Sequence, residues 1–248
     1  DGKQTLDIAI ANDEGRGLAL QTDGKIVQAG TGFVGGVQNF ALVRYNADGS
    51  VDTGFGGGDG IVTTAISTDW NIAQAVEVQS DGKIVVGGYS RGLSDNDFTI
   101  VRYTSTGTLD TSFGGGDGIV TTNWGSGDSV WGMSLQSDDK IVVAGGTGSY
   151  DLAVARYLSD GSLDTSFSGD GKQTINLKFL EILYAVDVAP DGRIVAAGYT
   201  SDGGSQDFVL VRLTSSGELD TRANSGTTSL GGTVSYTENG SAVVLDSN

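Results

Sequence analysis

The sequence predicts an all-β fold made of four tandem copies of one unit. Two observations carry this. Three strings recur in fixed order at a nearly constant period, and helix signals are almost absent while short runs of β-branched and aromatic residues are evenly spaced. The first string is Asp-Gly-Lys-Ile-Val, whose basic residue stands at Lys25, Lys83, Lys140 and Arg193, in steps of 58, 57 and 53. The second is Val-Arg-Tyr around Arg44 and Arg102, varied around Arg156 and Arg212. The third is Leu-Asp-Thr-Ser-Phe-Gly-Gly-Gly-Asp-Gly from Leu109, modified from Val51 and Leu163 and truncated from Leu219.

Each unit reads as four strands. In the second unit strand a covers 60–66, b 72–79, c 83–89 and d 97–103, each marked by alternation and flanking turn residues. The b–c connection, Ser80-Asp81-Gly82, is a tight hairpin signal, because glycine tolerates positive φ. The d–a connection is a Gly-rich passage ending in Gly-Asp-Gly. Strand d sets Phe98, Ile100 and Arg102 on one face and Thr99, Val101 and Tyr103 on the other. Both faces are partly apolar, as a sheet sandwiched between neighbours requires. Gly87 and Gly88, with Ala29-Gly30 and Ala144-Gly145 in matching places, are expected to let adjacent sheets approach closely. Four antiparallel strands and a long return describe a blade, so the expected architecture is a β-propeller of four four-stranded antiparallel blades. A β-solenoid, the alternative, needs no hairpin in every unit.

The units divide at approximately 1–55, 56–113, 114–167 and 168–222. Residues 223–248 form a tail expected to be a short β-hairpin turning at Asn239-Gly240. The chain opens inside the third string, since Asp1-Gly2-Lys3-Gln4-Thr5 matches Asp170-Gly171-Lys172-Gln173-Thr174. The array is expected to end where that string breaks, at Thr221-Arg222-Ala223.

Composition narrows the function. The chain has no cysteine and no histidine, so thiolate chemistry and the commonest general base and metal ligand are absent. The formal charge is −17, which disfavours nucleic acid and anionic membrane, because phosphate binding needs clustered Lys and Arg. No apolar run is long enough to insert in a membrane.

The strings LDTSFGGGDGIVTT, QSDGKIVVGGYS and DFTIVRYTSTG resemble the bacterial delta-60 repeat family over roughly residues 1–222. The resemblance implies a β-propeller in a large secreted or surface protein, often beside adhesin modules, with no established activity. Asp139 departs from the pattern at the hairpin glycine, and Leu213 at the tyrosine. The segment 232–248 is similar to the opening of a cadherin-like or immunoglobulin-like adhesin module.

Candidate chemistry divides into shared and varied positions. Arg44, Arg102, Arg156 and Arg212 recur with Asp52, Asp110, Asp164 and Asp220. They are expected to form one structural ion pair per unit, an anion-binding ring being the alternative. The Gly-Asp-Gly turns make calcium a candidate cofactor near Asp59, Asp117 and Asp170, with Asp48, Asp52 and Asp59 as one cluster to inspect. A tight turn needing positive φ is the plainer reading. The a–b and c–d loops vary between units, and all three tryptophans fall on or beside them. Trp70, Trp124, Trp131, Tyr184, Tyr150 and Phe33 are therefore the expected ligand-binding residues, for a glycan or protein, unless they plug blade ends. The apolar run 177–183, bounded by Leu177 and Leu183, and the C-terminal tail are candidate self-association segments. The expected function is an extracellular binding or adhesive module. A structural spacer or self-assembling subunit is the alternative, and a carboxylate-based glycan hydrolase or lyase the third reading.

Overall fold

A computed structural model gives the fold, and it describes residues 2–8, 12–92, 95–177 and 180–221. The predicted hairpin at 232–248 lies outside these residues. Every regular element among them is a strand. The first sheet orders β1 (Glu14–Leu20), β2 (Ile26–Val34), β3 (Val37–Tyr45) and β4 (Ile61–Thr64). The second orders β5 (Asn71–Val78), β6 (Ile84–Arg91), β7 (Asn96–Tyr103) and β8 (Ile119–Thr122). The third orders β9 (Ser129–Leu135), β10 (Ile141–Gly146), β11 (Leu152–Tyr157) and β12 (Lys172–Ile175). The fourth holds β13 (Leu180–Val188), β14 (Ile194–Ser201) and β15 (Gln206–Leu213), three strands among the described residues. All pairings are antiparallel.

The sheets are offset by one strand from the sequence units. The strand expected to open the second unit, β4, pairs with β3 and so closes the first blade. The cause is the glycine turn. Gly56, Gly57, Gly58 and Gly60 all take positive φ and fold the chain straight back onto the strand it has just left. A period alone does not say where a repeat is cut.

Blades stack through apolar faces. Phe40 and Leu42 on β3 pack with Ala73, Val76 and Val86 of the second blade. Phe98 and Ile100 pack with Val130, Met133 and Val143 of the third. Leu152 and Val154 pack with Leu183, Val186 and Ala196 of the fourth. Full burial of the Phe, Leu, Ile, Val and Met side chains among them stabilises by about 1.5–3 kcal/mol each. Neighbouring blades come closest along their first strands. A Cβ at Gly17 would lie 3.0 Å from the Ala75 Cα, and one at Gly132 would lie 2.9 Å from the Ala185 Cα. The first strands therefore form the converging inner edge of the blade array.

The Gly-Gly and Ala-Gly pairs on the second strands do two different things. The first member faces a neighbouring blade: a Cβ at Gly87 would lie 3.4 Å from the Met133 sulfur. The second member does not. A Cβ at Gly30, Gly88, Gly145 or Gly198 would strike the carbonyl oxygen of Glu14, Ile72, Ser129 or Ile182 in its own sheet, at 1.8–2.0 Å. That backbone is pushed inward by a β-bulge in every first strand.

Candidate functional site

The bulges define the site. Pairing skips one residue between Gly15 and Gly17, between Ala73 and Ala75, and between Leu183 and Ala185. In the third blade Gly132 and Val130 face consecutive residues of β10. The extra residues are Arg16, Gln74, Trp131 and Tyr184, one per blade on the inner strand. A bulge re-aims a side chain that the pleat would otherwise commit to one face. Here the bulge recurs while the side chain differs each time.

These side chains touch across blades. Arg16 donates to Gln74 Oε1 at 3.2 Å and pairs with Glu14. The Tyr89 ring lies 6.1 Å from Trp131, Trp131 meets Tyr184 edge-on at 5.5 Å, and Tyr184 lies 5.7 Å from Tyr199. The result is a row that begins charged in the first blade and becomes aromatic in the third and fourth. Tyr184 is half exposed and Trp131 partly so. Burial raises the Tyr89 and Tyr184 hydroxyls above their usual range, so both remain neutral donors at physiological pH. Sequence reasoning found Trp131 and Tyr184 but missed Arg16, Gln74, Tyr89 and Tyr199. The available signal was the residue after the strand-c glycine, where Tyr89 and Tyr199 both stand.

Beside the row, burial and then the nearby charge of Asp187 push Glu77 up from its usual value. Ser134 donates to Asp187 at 3.4 Å between the third and fourth blades.

The other expected ligand residues lie apart from this row. The Trp124 ring lies 5.4 Å from Phe98, tilted by 53°, with the Lys172 ammonium 5.1 Å above it, and covers the end of the second junction. Trp70 is exposed under the Arg91 guanidinium at 5.2 Å. Tyr150 is exposed on a c–d turn at φ 67°, and Phe33 sits at the end of β2. The variable a–b loops are also less free than their sequences suggest. In the second, third and fourth blades a buried acceptor holds the loop: Asn71 takes the Ser67 N–H at 2.9 Å, Asp128 the Trp124 N–H at 2.6 Å, and Glu181 the Leu177 N–H at 2.7 Å. Leu183, in the run expected to self-associate, is fully buried in the third junction.

The shared arginines and aspartates sit on the opposite face. Arg44 holds Asp52 at 2.8 Å, Arg102 holds Asp110 at 2.9 Å, Arg156 holds Asp164 at 2.9 Å, and Arg212 holds Asp220 at 3.0 Å. Each guanidinium in the first three blades also covers its own Phe55, Phe113 or Phe167 ring and donates to the carbonyl of Ser105, Ser159 or Ser215 in the next blade. This is a tie between blades. Asp59, Asp117 and Asp170 each accept the N–H two residues on, at 2.9–3.0 Å, and Asp48 accepts from Ser50. Asp48, Asp52 and Asp59 thus turn to three different partners. Among the described residues no group of three or more His, Cys, Asp or Glu is placed to hold a metal ion, and no helix is long and apolar enough to cross a membrane.

Stacked antiparallel blades, tied one to the next by a repeated arginine, define a repeat-built β-propeller. The chain belongs to the family described as the domain of unknown function (DUF5122) beta-propeller, whose model matches residues 21–55, 79–113, 136–167 and 189–222. Each match starts at a b–c turn and so leaves out the bulged first strand. The likeness of residues 232–248 to an adhesin module lies beyond the matched segments. No curated protein sequence matches the chain. Among solved structures, a protein of unknown function from Bacteroides caccae is similar at TM-score 0.51 and 12% identity, over 86% of this chain and 67% of that one. A gluconolactonase from Xanthomonas campestris gives TM-score 0.46 and 14% identity, over 83% of this chain and 60% of that one. The extracellular domains of Drosophila Semaphorin 1b give 0.45 and 9%, over 85% and 40%. These are likenesses of fold alone.

Proposed function

We propose that this propeller is a binding module of an extracellular or surface protein, and that it takes a glycan along the row from Arg16 to Tyr199. The observation that carries the reading is the repeated bulge, which fixes a position and varies its side chain. Aromatic rings with polar tips suit sugar faces, and the Arg16, Glu14 and Gln74 end supplies charged and amide partners for hydroxyls. The strongly acidic chain and its lack of cysteine are compatible with an extracellular setting and do not require one.

A glycan array followed by calorimetry on the hits tests this. Trp131→Ala with Tyr184→Ala should abolish binding, a loss of at least about 2 kcal/mol if the rings are the anchors. Trp70→Ala and Trp124→Ala should leave affinity within twofold. Unchanged affinity in the Trp131/Tyr184 variant sinks the assignment, and loss in the Trp70 variant returns the site to the loops. Hits among proteins and none among glycans would give the row a protein ligand instead. Turnover of a bound glycan, lost in Glu77→Gln, would favour the hydrolase reading.

A further inference from the structure

Among the described residues, both ends of the blade array carry an exposed apolar blade face. Phe208 and Leu210 on β15 occupy the places of Phe40 and Leu42, of Phe98 and Ile100, and of Leu152 and Val154. Those six residues are fully buried against a following blade, whereas Phe208 is 101% and Leu210 38% exposed. At the other end, Leu18 stands where Val76, Met133 and Val186 stand. Those three are 4–9% exposed against a preceding blade, and Leu18 is 65%.

Two further features match these ends to each other. The fourth sheet has three strands among the described residues, and Lys3-Gln4-Thr5-Leu6 repeats the string of β12, Lys172-Gln173-Thr174-Ile175, which is the fourth strand of the third blade. Residues 3–6 are in no strand here. The ties are also incomplete. The Arg44, Arg102 and Arg156 Nη1 atoms each donate to a carbonyl of the next blade, whereas Arg212 makes no such bond among the described residues. Gly107, Gly161 and Gly217 each receive the Phe of the blade before, and a Cβ at Gly49 would meet nothing within 4 Å.

We propose that a second copy of this chain covers these faces, head to tail. Residues 3–6 of one copy add to the open edge of β15 in the other, with Leu6 opposite Phe208 and Thr5 opposite Val209, as Ile175 lies opposite Leu152 and Thr174 opposite Ala153. Leu18 and Leu20 then pack on Phe208 and Leu210, and Arg212 finds a carbonyl in the turn around Gly49. One junction supplies a missing strand, a missing face and a missing acceptor together. Such a contact is heterologous, so two chains close a ring of eight blades or further copies extend it.

The test is light-scattering mass across a concentration series of the full chain. The expected result is a shift from 25.3 kDa to the mass of two or more chains. Leu18→Asp and Phe208→Asp, both at exposed positions and checked for fold by circular dichroism, should each remain single chains. Mixed one to one they should form a heterodimer, because each keeps the face the other lacks. Wild-type protein that stays a single chain, a variant that still self-associates, or a mixture that does not associate overturns the proposal.

Discussion

Leu213 stands where Tyr103 and Tyr157 stand in the blades before it. Those tyrosines are buried, and each hydroxyl donates across a junction, Tyr103 to Thr64 Oγ1 at 2.7 Å and Tyr157 to Thr122 Oγ1 at 2.8 Å. The residue matching Thr64 and Thr122 in the third blade is Ile175, which lies in the same core as Leu213. One junction has exchanged a polar pair for an apolar one, so the departure at Leu213 follows from its partner. Leu213→Tyr alone should destabilise by about 2 kcal/mol, because its buried hydroxyl lacks an acceptor. Leu213→Tyr with Ile175→Thr should recover most of that in denaturant unfolding. Additive losses would show that the two positions do not couple. The departure was legible in the sequence, but its compensation was not, because the partners are 38 residues apart in different blades.

At the scale of the strand, the Gly87-Gly88 pair gives opposite expectations for two chemically identical changes. Gly87→Ala would place a methyl 3.4 Å from the flexible Met133 side chain, and alanine already stands there in the other blades as Ala29, Ala144 and Ala197. Gly88→Ala would place it 2.0 Å from the Ile72 carbonyl, which the bulge holds in place. Thermal unfolding should move little for the first and fall by several degrees for the second, a loss on the order of 2 kcal/mol. Equal shifts would show that the bulge gives way at no cost. The pattern of glycines was plain in the sequence, yet it was assigned wholly to contacts between sheets. The bulge itself was hidden, because Arg16, Gln74, Trp131 and Tyr184 share no letter. The buried acceptors Asn71, Asp128 and Glu181 were hidden for the same reason. Repetition of identity was readable, whereas repetition of position under changing identity needed the backbone.

For the molecule as a whole, the blade ties set the response to acid. The Lys25 hydrogen bond, helped by Arg44, holds Asp52 below the ordinary carboxylate value of 3.8. Burial pushes Asp110 and Asp164 up, but the hydrogen bonds from Ser112 and Ser166 and the charges of Arg102 and Arg156 outweigh it, so both also lie low. These groups bind protons less readily folded than unfolded. Their stabilisation is complete above about pH 4 and is lost as pH falls through the lowered values. Burial raises Glu77, Asp97 and Asp128, which work in the opposite sense, but the lowered carboxylates, which also include Asp48, Asp81, Asp160, Asp191 and Asp202, outnumber them. Melting temperature should therefore be lost below about pH 4 in a thermal unfolding series, and a melting temperature that rises there would remove the ties as the acid-sensitive element. The bulged strands have a different bearing on the whole. When such a unit is duplicated, the new copy inherits a finished scaffold and one letter that packing does not dictate. Divergence can then act on that letter alone, so the chain can acquire a new specificity at each duplication without first having to solve its folding again.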